Sequence, residues 1–186
     1  MRGILRLLAI AALALGARAA YAWENEGPCD FLTGGGFIIH LGAKANFGVG
    51  GGCKNGSPTW GHLEYIDHGT GLNVHWTSIT GYFIFDNTGN DPKTNQPTGA
   101  RLICGSARTN LYGDVDWIVN ARDRGEPGDD DWFIIRLKKN GVTVYTTEFD
   151  ADHTLGGPGP GGGNIQLHKP NPSTLSGSFG GFCNAF

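Results

Sequence analysis

No extended run of lysine or arginine occurs in this sequence, no two cysteines are spaced as C-x-x-C, and helical periodicity is absent beyond the first residues. After residue 22 no stretch reaches the roughly 18–20 continuous apolar residues of a transmembrane helix. Each absence removes a class of protein. An acidic chain with no basic run offers nucleic acid or an anionic membrane surface no positive field to meet it. Widely and irregularly spaced cysteines do not form a structural zinc site of the finger or ribbon type. Without helical periodicity, the chain cannot be a bundle or a doubly wound α/β domain. The H-E-x-x-H helix of metalloproteases, the G-x-S-x-G elbow of α/β hydrolases and the ligand order of an EF-hand are also missing.

What is present begins with an export signal. Arg2 and Arg6 supply a positive start, and the apolar stretch from Ile4 to Leu15, broken only by Arg6, is too short to span a bilayer. Ala20-Tyr21-Ala22 reads as an A-x-A cleavage site, so residues 1–22 are expected to be a signal peptide and residues 23–186 a single secreted β domain. Cleavage removes Arg2, Arg6 and Arg18 but no acid, so 14 basic against 17 acidic residues becomes 11 against 17, a net charge of −6. The expected location is the extracellular space or the cell surface, with the periplasm as the alternative.

All four cysteines, Cys29, Cys53, Cys104 and Cys183, lie in the exported part. An even number in an oxidising compartment reads as two disulfides, for which three pairings exist. The expectation pairs Cys29 with Cys183, tying the ends, and Cys53 with Cys104, tying two inner segments.

Glycine is abundant, at 32 residues, but follows no G-X-Y period. It punctuates short β-rich runs instead. Gly36 to His40 and Lys44 to Gly50 read as the first strands. Trp60 to Asp67 alternates, with Leu63 and Tyr65 on one face and His62 and Glu64 on the other. Leu72 to Phe85 holds one bent strand or two, with a break in apolar phase near Ser78 to Gly81 of the kind a bulge makes. Asp86 to Thr98 reads as a polar loop and Ala100 to Ala107 as a strand. Val115, Trp117, Val119 and Ala121 share one face of the next. Phe133, Ile135 and Leu137 do the same before Asn140-Gly141, a hairpin turn into Val142 to Phe149. Asn164 to His168 is the last strand. The fold class is all-β, a β-sandwich (jelly-roll-like or Ig-like) of about ten short strands.

The runs Thr33-Gly34-Gly35-Gly36-Phe37-Ile38, Lys44-Ala45-Asn46-Phe47-Gly48, Asp123-Arg124-Gly125-Glu126-Pro127-Gly128 and Gly162-Gly163-Asn164-Ile165-Gln166-Leu167-His168, in this order, carry a resemblance. The chain resembles a small secreted bacterial β domain found beside choice-of-anchor modules in cell-surface proteins. The resemblance implies an extracellular sandwich-like domain. That family has no established activity, so none is carried over and no catalytic residue is assigned. The segment Asp86 to Thr98 and the four cysteines depart from its pattern.

Three constellations remain as candidate sites. Glu64, Asp67, His68, His75 and His168 could bind zinc or move protons if the strand of His168 lies beside the hairpin of the others. The alternative is that Asp67 and His68 merely hydrogen-bond their own turn. Asp86, Asp91, Asp129 and Asp131 lie in acid-rich loops with enough oxygen for calcium, or are solvated turns. Trp60 and Trp76, beside polar or turn residues, are candidates for an aromatic face that stacks on sugars. The expected function is an exported binding or structural module. Its partner would be a glycan, another cell-surface protein, or a second copy joined through edge strands. The contrasting expectation is a secreted metal-dependent hydrolase with His68, His75 and His168 as ligands and Glu64 or Asp67 as base.

Overall fold

A computed structural model describes residues 28–159 and 161–186, so the expected signal peptide lies outside the described residues. Among the described residues there is no helix; the elements are β1 (Phe31–His40), β2 (Ala43–Lys54), β3 (Ser57–Asp67), β4 (Leu72–Asn90), β5 (Pro97–Thr109), β6 (Gly113–Asp123), β7 (Trp132–Lys139), β8 (Val142–Thr146), β9 (Gly163–His168) and β10 (Gly180–Gly181). All pair antiparallel in a single sheet of order β8-β7-β6-β5-β4-β3-β2-β1-β9, with β10 beside β4. The fold is all-β and sandwich-like, its two faces made by one sheet bent over itself.

Alternation explains which side is inside. Leu63 and Tyr65 of β3, Trp117 and Val119 of β6, and Phe133, Ile135 and Leu137 of β7 are buried, as their period of two requires. The halves meet where Phe47 of β2 stacks on Phe133 of β7 with ring centroids 3.9 Å apart. The bend is concentrated in β4, whose pairing with β5 shifts register at Trp76/Ser78, Ile79/Gly81, Ile84/Asp86 and Asn87/Gly89. The first two shifts are the expected break in apolar phase. The other two carry pairing through Asp86 to Asn90, so the polar loop expected there is confined to the turn between Asn90 and Pro97.

The first strand begins at Phe31, earlier than its glycines suggest. Those glycines serve close packing: a Cβ on Gly36 would lie 2.2 Å from Gly162 O, and one on Gly34 would lie 2.7 Å from Ile165 Cγ1. The strand after Asn140-Gly141 ends at Thr146 instead of Phe149. Asn140 and Gly141 both have positive φ, 53° and 79°, as their hairpin turn demands.

Both disulfides form, which marks an oxidising compartment, but the pairing differs from the expectation: Cys29 joins Cys53 and Cys104 joins Cys183. The reason is register. Phe31 pairs with Gly52, which leaves Cys29 beside Cys53 just past that point, with Cα atoms 5.8 Å apart. Cys104 faces outward from central β5, with Phe83, Leu102 and Ile118 around it. There β10 leads the C-terminal segment across β4, which brings Cys183 within 5.3 Å, Cα to Cα.

One sheet end is closed by side chains. The amides of Ile165, Leu167 and Lys169 point away from β1 and donate to Asp131 Oδ2 (2.7 Å), Asp123 Oδ2 (2.7 Å) and Gln96 Oε1 (3.0 Å). These acceptors occupy the places a neighbouring strand would take, which blunts β9 as a template for pairing. Burial raises the Asp131 carboxyl to about 7 even though the amides of Arg124 and Ile165 pull it down. Its value in the fold lies above that of an unfolded chain, so the stabilisation present at low pH is lost as pH rises through about 7. The thermal unfolding midpoint is therefore expected to be lower at pH 8 than at pH 5. The Asp131→Asn variant should flatten that slope, and an equal slope in variant and parent would refute the assignment.

Candidate functional site

The histidines expected to meet do not. Trp60 and His168 occupy one cross-strand row through Gly52 and Phe31, whereas His68 lies eight residues beyond Trp60. At about 3.3 Å per residue that is roughly 26 Å. His68 Nε2 is 2.9 Å from Asn46 Oδ1 at the far turn. His75 of β4 faces Glu64 of β3, and their exposed side chains are in contact through Nδ1 and Oε1. His168 lies at hydrogen-bond distance, 2.9 Å, from Thr33 Oγ1. Burial lowers its pKa against the opposing charge of Asp30.

Asp67 is buried at the start of its turn, where Oδ1 accepts from the amides of Gly69 (2.8 Å) and Thr70 (3.3 Å), and Oδ2 from the hydroxyls of Thr70 (2.8 Å) and Tyr145 (2.9 Å). Burial opposes its ionisation, but the Thr70 and Tyr145 hydroxyls and the turn amides outweigh it and hold the carboxyl below its ordinary value. Behind it stand groups that sequence spacing did not connect. Tyr145 OH lies 2.6 Å from Tyr65 OH, and His40 Nδ1 lies 2.8 Å from Asp150 Oδ2. His40, Asp67 and Asp150 are all under 9% exposed at their side chains. This network clamps the ends of β1, β3 and β8 together.

The acid loops likewise spend their oxygens on the backbone. Asp86 Oδ1 accepts from Ala100 N (2.8 Å), and Asp86 Oδ2 pairs with Arg122. Asp91 accepts from the amides of Lys93, Thr94 and Glu126. The Thr94 amide contributes most, and together with the Glu126 amide, the Thr94 hydroxyl and the Lys93 amide it outweighs desolvation and brings Asp91 down to about 2. Asp129 Oδ1 accepts from Gly161 N (3.3 Å), and Asp131 takes the amides of Arg124 and Ile165. Among the described residues no three His, Cys, Asp or Glu side chains are grouped so as to hold a metal ion.

The two tryptophans divide. Trp76 continues the inward face of Leu72 and Val74 and packs against the core, so it is corrected from ligand face to core margin. Trp60 points outward. Its row runs across four strands: Trp60 of β3 is opposite Gly52 of β2, which is opposite Phe31 of β1, which is opposite His168 of β9. Phe31 meets Trp60 edge-on at 6.1 Å and stacks on His168 at 4.4 Å with an interplanar angle of 10°. Gly52 makes this possible, since a Cβ there would lie 2.5 Å from Phe31 Cβ.

Beside these rings is a hollow of about 110 Å³ bordered by Phe31, Trp60, Cys53, Lys54, Asn171, Ser173 and Thr174. Its far wall is the turn at Asn171. Asn171 O accepts from Thr174 N (2.8 Å), and Ser173 O accepts from Asn55 N (3.0 Å), which docks the turn on the β2–β3 hairpin. The volume suits part of one ring of a ligand lying on the surface, and an enclosed small molecule would need several times more. Larger hollows lie elsewhere on the surface. One is apolar, between Phe85, Ile134 and Phe186; another surrounds the Arg101 ion pair; a third is an open strip at Glu64, His75 and Arg108. The hollow at Trp60 joins two half-buried planar rings, Phe31 and Trp60, to the hydrogen-bonding groups of Lys54, Asn171, Ser173 and Thr174. Sequence reading found Trp60 but missed Phe31, Lys54 and Asn171. The available signal was glycine at every outward position of Gly48-Val49-Gly50-Gly51-Gly52, which marks a strand whose face is covered by its neighbours' side chains. No family model, no curated protein and no solved structure matches this chain.

Proposed function

We propose that this is an extracellular carbohydrate-binding module whose contact surface is the ring row Trp60–Phe31–His168 and the adjoining hollow. The observation that carries the reading is that register brings rings from β3, β1 and β9 together around a strand kept bare by Gly52. Planar rings with a polar margin suit the apolar face and hydroxyl rim of a pyranose. The two disulfides and the resemblance to surface-associated domains support placing it outside the cell. A rigid, cross-linked sheet supports recognition, because a surface held in place in advance loses little freedom on binding.

The test is titration of the purified, disulfide-intact protein with soluble oligosaccharides, followed by tryptophan fluorescence and calorimetry. Trp60→Ala should weaken binding about tenfold or more, the equivalent of ~1.4 kcal/mol, with the circular dichroism spectrum unchanged. Trp76→Phe, at the core margin, should leave affinity unaltered. Affinity that is indifferent to Trp60 would overturn the reading.

A further inference from the structure

The hollow beside Trp60 has an uneven supply of hydrogen-bonding groups. Asn171 Oδ1 already accepts from Ser173 N (2.9 Å) and Ser173 Oγ (2.7 Å). Thr174 Oγ1 accepts from Asn171 N (2.9 Å) and donates to Asn171 O (3.2 Å). Among the described residues Lys54 Nζ and Asn171 Nδ2 have no partner, so what the hollow offers a ligand is chiefly N–H donors. Lys54 is also the one charged side chain on its lining, and no carboxylate lies there to neutralise it.

This distribution is unusual for the chain around it, which carries 17 acidic residues against 14 basic ones. A negative chain slows the approach of an anion, but at physiological salt distant charges are largely screened beyond about 8 Å, while a direct ammonium–carboxylate contact is weakened less. The strip at Glu64, His75 and Arg108 mixes both signs and would favour neither.

We propose that the hollow selects acidic sugars, with the carboxylate of a hexuronic acid held by Lys54 Nζ and Asn171 Nδ2 while the pyranose ring lies against Trp60. The inference rests on the carbohydrate-binding reading of the same site and adds the substrate class to it. A charge-assisted contact of this kind is stronger than a neutral one and weakens with salt.

The experiment compares oligogalacturonate, oligoglucuronate and oligomannuronate trimers with their methyl esters, by calorimetry on the full oxidised chain at 50 and 300 mM salt. At least one free acid should bind about tenfold tighter than its ester, with the gap narrowing at the higher salt. Lys54→Gln should bring acid affinity down to that of the ester, and Trp60→Ala should weaken both. Equal affinity for acid and ester, or an acid preference untouched by Lys54→Gln, overturns the acidic selection and leaves the carbohydrate platform standing. Binding of neutral oligosaccharides alone has the same meaning. No binding to any acid, ester or neutral oligosaccharide overturns both.

Discussion

Replacing Cys104 and Cys183 together with serine is expected to lower the free energy of unfolding by about 4–5 kcal/mol, and the matching change at Cys29 and Cys53 by about 3 kcal/mol. The difference follows from loop length. The first bridge spans 79 residues of sequence and the second 24, and a longer closed loop removes more freedom from the unfolded chain. Against a typical domain stability of about 5–15 kcal/mol, either loss is large. The two variants should also differ locally. Cys183 ties the C-terminal segment over Phe83, Leu102 and Ile118 on the outer face of the sheet, so its loss should expose apolar surface and increase binding of a hydrophobic dye. Cys53 lies beneath the hollow at Trp60, so its loss should weaken ligand binding under conditions where both variants remain folded. Urea denaturation with fluorescence detection gives the order of stabilities. A smaller cost for the Cys104–Cys183 pair than for Cys29–Cys53 would contradict the loop argument.

Asp30→Ala is expected to cost about 3–5 kcal/mol. Asp30 precedes the first strand and is 6% exposed, while Arg101 of β5 is 2% exposed. The pair is bidentate: Arg101 Nε donates to Asp30 Oδ1 (3.2 Å) and an Arg101 terminal nitrogen to Asp30 Oδ2 (2.5 Å). Tyr82 OH also donates to Asp30 Oδ1 (2.8 Å). Burial, followed by the charge of Asp30, pushes the Tyr82 hydroxyl well above its ordinary pKa, so it stays a donor. Removing the carboxylate leaves a buried guanidinium with the carbonyls of Asp86 and Ala100 and the ring face of Phe179, but no counter-charge from Asp30. The cost is that of an uncompensated charge, which greatly exceeds the net worth of the pair. The double variant Asp30→Leu with Arg101→Met should therefore recover most of the loss. A double variant as unstable as Asp30→Ala would show that the polar pair itself stabilises the fold. Because Phe31 follows Asp30 directly, the single variant should also disturb the ring row and reduce ligand affinity.

These predictions involve residues of very different visibility in the sequence. The strand faces were legible because alternation is local: Phe133, Ile135 and Leu137 could only be buried together, and Asn140-Gly141 could only turn. The presence of two disulfides was legible from an even cysteine count behind an expected export signal. Their pairing was not, because it depends on which strands become neighbours and at what register, and Phe31 opposite Gly52 is a tertiary fact. Trp60 was identifiable by its type and its flanking residues. Trp76, of the same type, was misassigned because the face it occupies is set by continuity with Leu72 and Val74.

The chain's own order of residues determined the β class, the turns, the oxidising environment and the inward faces, since period-two alternation, turn chemistry and cysteine number act over a few residues or by composition alone. Tertiary structure alone decided that Phe31 and His168, 137 positions apart by their numbers, share a stacked contact. It also decided that Asp123, Asp131 and Gln96 stand in for a missing strand. The physical reason is that cross-strand register is a collective property of the bent sheet: a slip of one residue would leave each local pattern intact while sending every one of these side chains to the opposite face.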